Sequence, residues 1–523
     1  MTQNNNLILI GFMGSGKSRV GKQLSENLGY ELIDTDECIE QAEGMNIQEI
    51  FRKKGEWYFR QLESNLLKEL AHKTKVVIVT GGGTPISSTN AMLLRELGEI
   101  FFLDAALPFI IERLKKSKRR PLGKANTEEE RQELTKLYLH RRPVYANMGH
   151  RIDVNHQDKA RTRQDIIERF LAKKSLGPIA TTDIYELVGS YPIYHQRDIL
   201  PKIKNMVIAL GLKDFAPVII TSDRLKHVLA ATVQQIKQSF GQELPVLSIR
   251  DGEQYKNLES IDRLHQDMFD HGLTRKTLVI ALGGGNVGDV AGFASSIYLR
   301  GVPTIQVPTT LLAMVDASIG GKTGVDTSFG KNLIGSFYQP KAVIIDSNIL
   351  DTLPQDEFAC GMAEIVKHAI IADRELFFCL KEEKPHINLV IERALRVKAD
   401  IVFNDPQENH IRAYLNLGHT YAHAIEKVSQ YTIKHGQAVA MGLVMAVKLA
   451  KRLGMLEEDF TKDLECVLLK HNLPVTIPQE LKTEALLAAM KHDKKRDPHG
   501  LKMVVPKRIG EVCLAYVEEK DIF

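Results

Sequence analysis

The chain has 523 residues, with 69 Lys and Arg against 65 Asp and Glu and a formal charge of +4 at pH 7; that length exceeds what one hydrophobic core organises, so two or three domains are expected. So small a positive excess excludes the clustered basic footprint of a nucleic-acid binder and points to small anionic ligands. The five cysteines (Cys38, Cys360, Cys379, Cys466, Cys513) contain no C-x-x-C pair, which argues against a disulfide framework or a structural zinc knot and for a reducing cytoplasm.

Residues 1–6 carry no basic stretch and lead into no cleavable apolar run, and nothing in the chain is apolar enough for long enough to span a bilayer. A cytoplasmic location with no membrane partner is therefore expected. Residues 7–10, 31–33, 76–79 and 100–103 read as short buried strands separated by amphipathic helices such as 59–70, the alternation of a parallel α/β sheet. A helix starting near Thr162 ends in Lys173-Lys-Ser175, and the turn-prone segment 176–182 after it reads as a linker. Strand signals resume at 206–210, 218–221, 245–249, 277–282, 304–307 and 342–346. From about Asp356 they nearly vanish, and helical patterns over 358–372, 387–403 and 436–453 predict a mostly helical last third. The expected architecture is α/β throughout: a three-layer α/β/α P-loop domain (1–175), a Rossmann-like dinucleotide-binding domain (183–350), and a mostly helical metal- and substrate-binding domain (351–523).

Two glycine-rich loops imply two nucleotide sites. Gly11-Phe-Met-Gly14-Ser15-Gly16-Lys17-Ser18 has P-loop spacing, in which backbone N–H groups wrap phosphates, the Lys reaches the terminal phosphates and the Ser hydroxyl holds Mg²⁺. Asp34-Thr-Asp36 sets two carboxylates beside those phosphates, one suited to Mg²⁺ and one to a sugar-like hydroxyl. Arg60, four residues after Glu56, would otherwise be a surface pair worth only ~0.3–0.5 kcal/mol. Gly81-Gly82-Gly83 directly follows a strand and lets a ligand approach the backbone. These motifs, with Phe51-x3-Gly55-Glu56-x2-Phe59-Arg60-x2-Glu63, Arg120-Pro-Leu and Arg141-x-Pro143-x-Tyr145, closely resemble shikimate kinase over residues 5 to about 172. The resemblance implies Asp36 on the shikimate hydroxyls, Arg60 and Arg141 on its carboxylate, Gly82 and Gly83 against its ring, Arg120 on the transferring phosphoryl, and Ser18 and Asp34 serving Mg²⁺ with ATP.

The second loop, Gly283-Gly284-Gly285-x-x-Gly288-Asp289, follows a predicted strand and opens a helix, as a dinucleotide fingerprint should, but the next strand ends in Pro308-Thr309-Thr310 and not in an acidic residue. Groups of Asp251-Gly-Glu253-x-x-Lys256 could take the ribose contacts. Further on, Arg412, Asn416, His419 and His423 step by four, three and four, which would put them on one helical face. Polar groups at a spacing usually apolar must meet solvent, a metal or a polar ligand. The His419/His423 pair alone could be two zinc ligands one turn apart, and Glu364, with Lys367 one turn on, and His435 offer further ligands.

The series Asp251-Gly-Glu-x-x-Lys256, Arg300-Gly, Val307-Pro-Thr-Thr-Leu-Leu-Ala-Met-Val-Asp316, Gly320-Gly-Lys322-Thr, Gly330-Lys331-Asn332, Glu364-x-x-Lys367-His, Asn416-Leu-Gly-His-Thr-x3-His423 and His435-Gly resembles 3-dehydroquinate synthase from about residue 183 to the end. That resemblance implies Zn²⁺, with Co²⁺ an option, on Glu364, His419 and His435, and NAD⁺ against Asp223, Glu253, Lys256, Gly284, Gly285, Asp289, Thr309, Thr310 and Lys331. It implies Asp316, Lys322 and Lys367 on the ring-forming hydroxyls, and Lys398 and Arg412 on hydroxyls and carboxylate. Asn332, Asn416, His423 and one of Lys494 and Lys495 would surround the phosphate, and Arg300 would reach the site of a second copy in a homodimer. The reaction so implied is cyclisation of 3-deoxy-arabino-heptulosonate 7-phosphate to 3-dehydroquinate with phosphate release and no net redox change. The combined expectation is a bifunctional enzyme of aromatic biosynthesis. The alternative is that the C-terminal half is a related sugar-phosphate cyclase or an NAD-dependent polyol dehydrogenase.

Overall fold

The computed structural model describes residues 5–115, 127–146, 148–155, 159–176, 180–184, 191–405, 410–493 and 501–523. Two compact units divide the chain, with the main break after residue 178 and residues 204–213 grouped with the first unit.

The first unit is built on a five-stranded parallel sheet of β1 (Leu7–Ile10), β2 (Glu31–Asp34), β3 (Val76–Val79), β4 (Glu99–Asp104) and β5 (His150–Asp153), ordered β2-β3-β1-β4-β5. β1 and β3 are apolar at every position and buried at every position, as strands covered on both faces must be. Because β1 lies between β3 and β4, the loops after β1 and β3 open side by side at the carboxyl edge of the sheet, where ligands of open α/β folds bind. Those two loops are Gly11–Gly16 and Gly81–Gly83.

The second unit holds a seven-stranded sheet ordered β6-β7-β14-β11-β10-β8-β9. Its strands are β6 (Ala180–Ile184), β7 (Tyr191–His195), β8 (Ala216–Ser222), β9 (Val246–Ile249), β10 (Thr277–Gly283), β11 (Thr304–Pro308) and β14 (Ala342–Ile345). All neighbours are parallel except the edge pair β6–β7. Chain order reverses between β8 and β10, so the glycine turn after β10 sits at the topological switch point. A hairpin of β12 (Lys322–Thr327) and β13 (Gly330–Phe337) follows β11, and the last third is helical, carried by Gln355–Ala372, Ile387–Asn404, His419–Val428 and His435–Arg452.

Four local readings are corrected. Residues 206–210 are not a strand: helix Ile203–Ala209 occupies them, and Ile203, Met206 and Val207 bury together at the i, i+3, i+4 spacing of a helix face. Part of the segment read as linker, from Ala180, pairs antiparallel with β7. Arg412, Asn416, His419 and His423 do not share one helix. A 3₁₀ turn, Ile411–Asn416, ends before Gly418, whose φ of 77° starts the new helix at His419. The strand-poor tail also contains an antiparallel pair, β15 (Leu501–Arg508) and β16 (Glu511–Val517).

Candidate active sites

In the first unit, Gly14 (φ 80°) and Gly16 (φ 99°) take left-handed conformations that turn the loop into the N-terminus of helix Lys17–Leu28. Lys17, only 7% exposed, folds back to donate to the carbonyls of Gly11 at 2.7 Å and Phe12 at 3.2 Å. Ser15 Oγ is buried with no hydrogen-bond partner among the described residues. An enclosed loop with such a donor and a lysine against it fits a phosphate chain, since buried polar groups need partners. Ser18 donates to Asp34 Oδ2 at 2.9 Å, while Asp34 Oδ1 accepts from the Asp36 amide at 3.1 Å, so the hydroxyl and carboxylate expected to serve Mg²⁺ are already adjacent.

The loop after β3 closes the pocket through what its glycines leave open. A Cβ on Gly81 would fall 2.4 Å from Asp36 Oδ1, one on Gly83 2.4 Å from Arg60 Nη1, and one on Gly82 3.9 Å from Arg141 Nη1. Arg60 is aimed by Glu63 at 2.7 Å and Glu56 at 2.8 Å; Glu63 is in turn fully buried and accepts from Thr84 Oγ1 at 2.5 Å. Tyr145 donates to the Gly82 carbonyl, and burial pushes its hydroxyl up to about 12, which keeps it a donor. Asp36, Arg60, Arg141 and the three glycines therefore meet in one place. Arg120 lies outside the described residues. Arg113 was not singled out from the sequence, yet it donates to the Gly14 and Ser15 carbonyls at 3.1 and 3.2 Å and so braces the P-loop.

In the second unit, Gly284 caps the 13-residue helix Gly285–Ile297, and Thr309 donates its amide to the Gly283 carbonyl at 2.9 Å. A Cβ on Gly284 would crowd Thr310, and one on Gly285 would crowd Ala317, each at 3.2 Å, while Thr309 Oγ1 is buried without a partner among the described residues. Bare backbone, a helix N-terminus and an unspent hydroxyl fit a dinucleotide pyrophosphate. Asp223, at the end of β8, accepts from Ser248 at 2.5 Å, and Asp251, after β9, accepts from Ser222 and the Arg224 amide at 2.6 Å each. Both are thus held on the β8–β9 side of the same edge. Lys256 reaches Asp289 at 2.7 Å and Asn332 at 2.5 Å, and Lys331 reaches Glu253 at 3.4 Å.

Deeper in the unit, Glu364, His419 and His435 come from three different helices yet present ligand atoms all within 4.8 Å of one another. Glu364 Oε1 faces His435 Nε2 at 3.4 Å and His419 Nε2 at 3.6 Å, and it has no hydrogen-bond donor among the described residues. The other nitrogens are occupied: His419 Nδ1 lies 3.1 Å from the Leu417 carbonyl and His435 Nδ1 lies 3.3 Å from Glu426 Oε2. Two imidazole nitrogens and a carboxylate oxygen converge without a donor between them, which suits a divalent cation with one position open. Burial pushes His419 down to about 3, whereas His435 is carried against its own desolvation up to about 10 by the carboxylates of Glu364 and Glu426. The approach of the helices rests on glycine: a Cβ on Gly436 would lie 2.2 Å from Cys360 Cα.

Beside this trio, Asp316 is held between Lys398, which donates to Oδ1, and Lys367 at 3.5 Å from Oδ2. Lys367 also pairs with Glu364. Burial would raise the Asp316 carboxyl, but the two ammonium groups outweigh it and hold it well below the usual range. Burial lowers Lys398, with Lys367 adding to that effect, while Lys367 is raised by Asp316 and Glu364 despite its burial. Arg412, 1% exposed, donates to the Gly320 carbonyl at 3.2 Å, and the His423 ring centre is 5.6 Å from that of His419. Asn416 ends the 3₁₀ turn three residues before His419, and Lys322 opens β12 and is exposed. Arg300 is exposed on a left-handed stretch, φ 48° at Leu299 and 71° at Arg300. Lys494 lies outside the described residues. Glu426, which no motif marked, is the acidic group that sequence reasoning missed.

Comparison with known proteins gives matches across both units. The 3-dehydroquinate synthase N-terminal model matches residues 246–360, the C-terminal model residues 361–496, and the shikimate kinase model residues 13–173. A 3-dehydroquinate synthase of Picosynechococcus sp. is 40% identical over 354 residues, covering 66% of this chain and 97% of that protein. One of Nitratiruptor sp. is 46% identical over 284 residues, covering 53% and 81%. Among solved structures, 2-deoxy-scyllo-inosose synthase complexed with carbaglucose-6-phosphate, NAD⁺ and Co²⁺ superposes with a TM-score of 0.58 at 27% identity, covering 66% of this chain and 98% of that one. ValA, a 2-epi-5-epi-valiolone synthase from Streptomyces hygroscopicus with NAD⁺ and Zn²⁺ bound, gives 0.57 at 27%, covering 64% and 94%.

Proposed function

The chain belongs to the 3-dehydroquinate synthase family and carries a shikimate kinase domain toward its N-terminus, and from that premise we propose how its residues divide two reactions of the shikimate pathway. The observation that carries the reading is the convergence of Glu364, His419 and His435 beside a lysine-flanked Asp316 in a unit whose sheet offers a nucleotide cradle. The related-cyclase and dehydrogenase alternatives are less well supported, because the curated synthases share 40–46% identity and the other cyclases 27%.

In the kinase domain, taken as residues 1–175, Gly14, Ser15, Gly16 and Lys17 hold the ATP phosphates, and Ser18 and Asp34 hold Mg²⁺. Asp36 takes the shikimate hydroxyl, Arg60 and Arg141 grip the carboxylate in two forks, Gly82 and Gly83 let the ring close onto the backbone, and Arg120 offsets charge on the transferring phosphoryl. The braced orientation of Arg60 supports that role, since a preset guanidinium loses little freedom on binding.

In the synthase half, whose sheet begins with β6 at Ala180, Glu364, His419 and His435 would hold Zn²⁺ or Co²⁺. NAD⁺ would lie against Asp223, Glu253, Lys256, Gly284, Gly285, Asp289, Thr309, Thr310 and Lys331. When bound, the metal supplies Lewis acidity toward an alcohol, and the nucleotide takes up and returns a hydride. Lys398 and Arg412 present buried cations to an anionic sugar acid, while Asp316, which bridges Lys367 and Lys398, accepts from ring-forming hydroxyls and Lys322 and Lys367 donate to them. Asn332, Asn416, His423 and Lys494 receive the departing phosphate. Homodimerisation through this half is supported by exposed apolar side chains on the β12–β13 hairpin, where Phe329 in the turn is 93% and Leu333 and Phe337 on β13 are 61% and 58% exposed, and by exposed Arg300, which we assign to the partner's site. No helix among the described residues is long and apolar enough to cross a membrane, and a cytoplasmic site of action fits small-molecule chemistry needing ATP and NAD⁺. Single-site variants test the division: Lys17→Met should abolish shikimate phosphorylation and leave cyclisation intact, and His435→Ala should do the reverse. Loss of both activities from either change would refute it.

A further inference from the structure

Glu426 lies on the same helix as His419, two turns on, and is 5% exposed. Its two oxygens face different partners: Oε2 is 3.3 Å from His435 Nδ1 and Oε1 is 3.5 Å from Lys331 Nζ. Lys331, at the turn of the β12–β13 hairpin, also stands 3.4 Å from Glu253 and 4.5 Å above the ring of Tyr431. An imidazole whose Nδ1 meets a carboxylate must carry its proton there, which leaves the Nε2 lone pair for the cation, and the ring is fixed in orientation as well as tautomer. His419 obtains the same constraint from a backbone carbonyl, which no side-chain change removes. His435 depends on a side chain.

We propose that Glu426 is a positioning residue of the metal centre, holding His435 as an Nε2 ligand, and that Lys331 in turn orients Glu426. Burying a carboxylate is costly unless it is paired, and among the described residues the hydrogen bonds to this one come from the ligand and from the hairpin that borders the nucleotide cradle. The hairpin thereby bears on metal affinity through Lys331, Glu426 and His435 in succession. The inference rests on the metal assignment made above.

The test measures Co²⁺ affinity of the full chain, without nucleotide, by competition with a chromophoric chelator, together with the visible ligand-field spectrum. Glu426→Leu should weaken binding by about 10–100-fold and shift the spectrum, whereas Glu426→Gln, which keeps an acceptor for Nδ1–H, should recover most of the affinity and the spectrum. Lys331→Met, at a half-exposed position, should cost a few-fold and serves if the Leu variant does not fold. Unchanged affinity and spectrum in Glu426→Leu, or in Lys331→Met where the Leu variant is unfolded, would overturn the proposal. Failure of the unsubstituted chain to bind Co²⁺ at all would instead refute the underlying metal assignment.

Discussion

Gly436→Ala should disable the synthase while sparing the kinase. Gly436 follows His435, and its Cβ would sit 2.2 Å from Cys360 Cα, 2.6 Å from Cys360 Cβ and 2.6 Å from the Cys360 carbonyl oxygen. Carbon atoms rest about 3.5 Å or more apart, so the helices His435–Arg452 and Gln355–Ala372 would have to separate locally by more than ~1 Å. The obstruction is backbone, so no side-chain rotation relieves it. Glu364 is carried by one of these helices and His435 by the other, and metal–ligand distances tolerate only about 0.2 Å. Overpacking of this kind costs about 1–3 kcal/mol of stability, and misplacement by about 1 Å costs about 10²-fold in turnover. The assay is paired: phosphate release from the heptulosonate phosphate and ATP-dependent phosphorylation of shikimate, measured on one preparation, with Co²⁺ affinity alongside. Wild-type synthase turnover and metal affinity in Gly436→Ala would refute the claim that glycine-permitted helix contact builds the centre.

Other outcomes follow from the same geometry. Gly83→Ala places a methyl group 2.4 Å from Arg60 Nη1; since a guanidinium tip can yield, KM for shikimate should rise by about tenfold or more with a smaller change in kcat, and an unaltered KM would count against the carboxylate role of Arg60. Chelation of all divalent ions followed by Mg²⁺ alone should restore phosphoryl transfer only, whereas full cyclisation under those conditions would contradict the trio as a Zn²⁺ or Co²⁺ site. Tyr421→Phe removes a buried hydroxyl that donates to the Ile522 carbonyl at 2.7 Å, so the synthase melting transition should lose about 1 kcal/mol of stability; calorimetry showing no loss would mean that this bond contributes nothing net.

The sites that were readable in the sequence are those where chemistry forces residue type. Gly14 and Gly16 stand where φ is positive, Gly81 and Gly83 where a Cβ would strike Asp36 or Arg60, and Glu364 is a fully buried carboxylate on a mostly apolar helix, while His419 and His435 each open a helix. Periodicity gave the long helices within a residue or a few, but it could not see that Gly418 breaks the run from Arg412 to His423, because a glycine inside a regular spacing leaves the spacing intact. Short apolar runs misled in the opposite direction, since 206–210 suits strand and helix alike until packing chooses. Glu426 and Arg113 were invisible for a different reason. A single charged residue on an amphipathic helix looks solvent-facing, and only tertiary structure sets one against His435 and the other against the carbonyls of Gly14 and Ser15.

The central claim is that the helical third and the preceding sheet together run a redox cycle with no net transfer. Following phosphate and the 340 nm absorbance of NADH at once, with 3-deoxy-arabino-heptulosonate 7-phosphate, NAD⁺ and Zn²⁺ supplied to the full chain, tests it most directly. Phosphate should appear over many turnovers without accumulation of NADH, and both signals should be absent in His435→Ala. NADH rising in step with substrate consumption, or turnover undiminished in His435→Ala, would contradict the account.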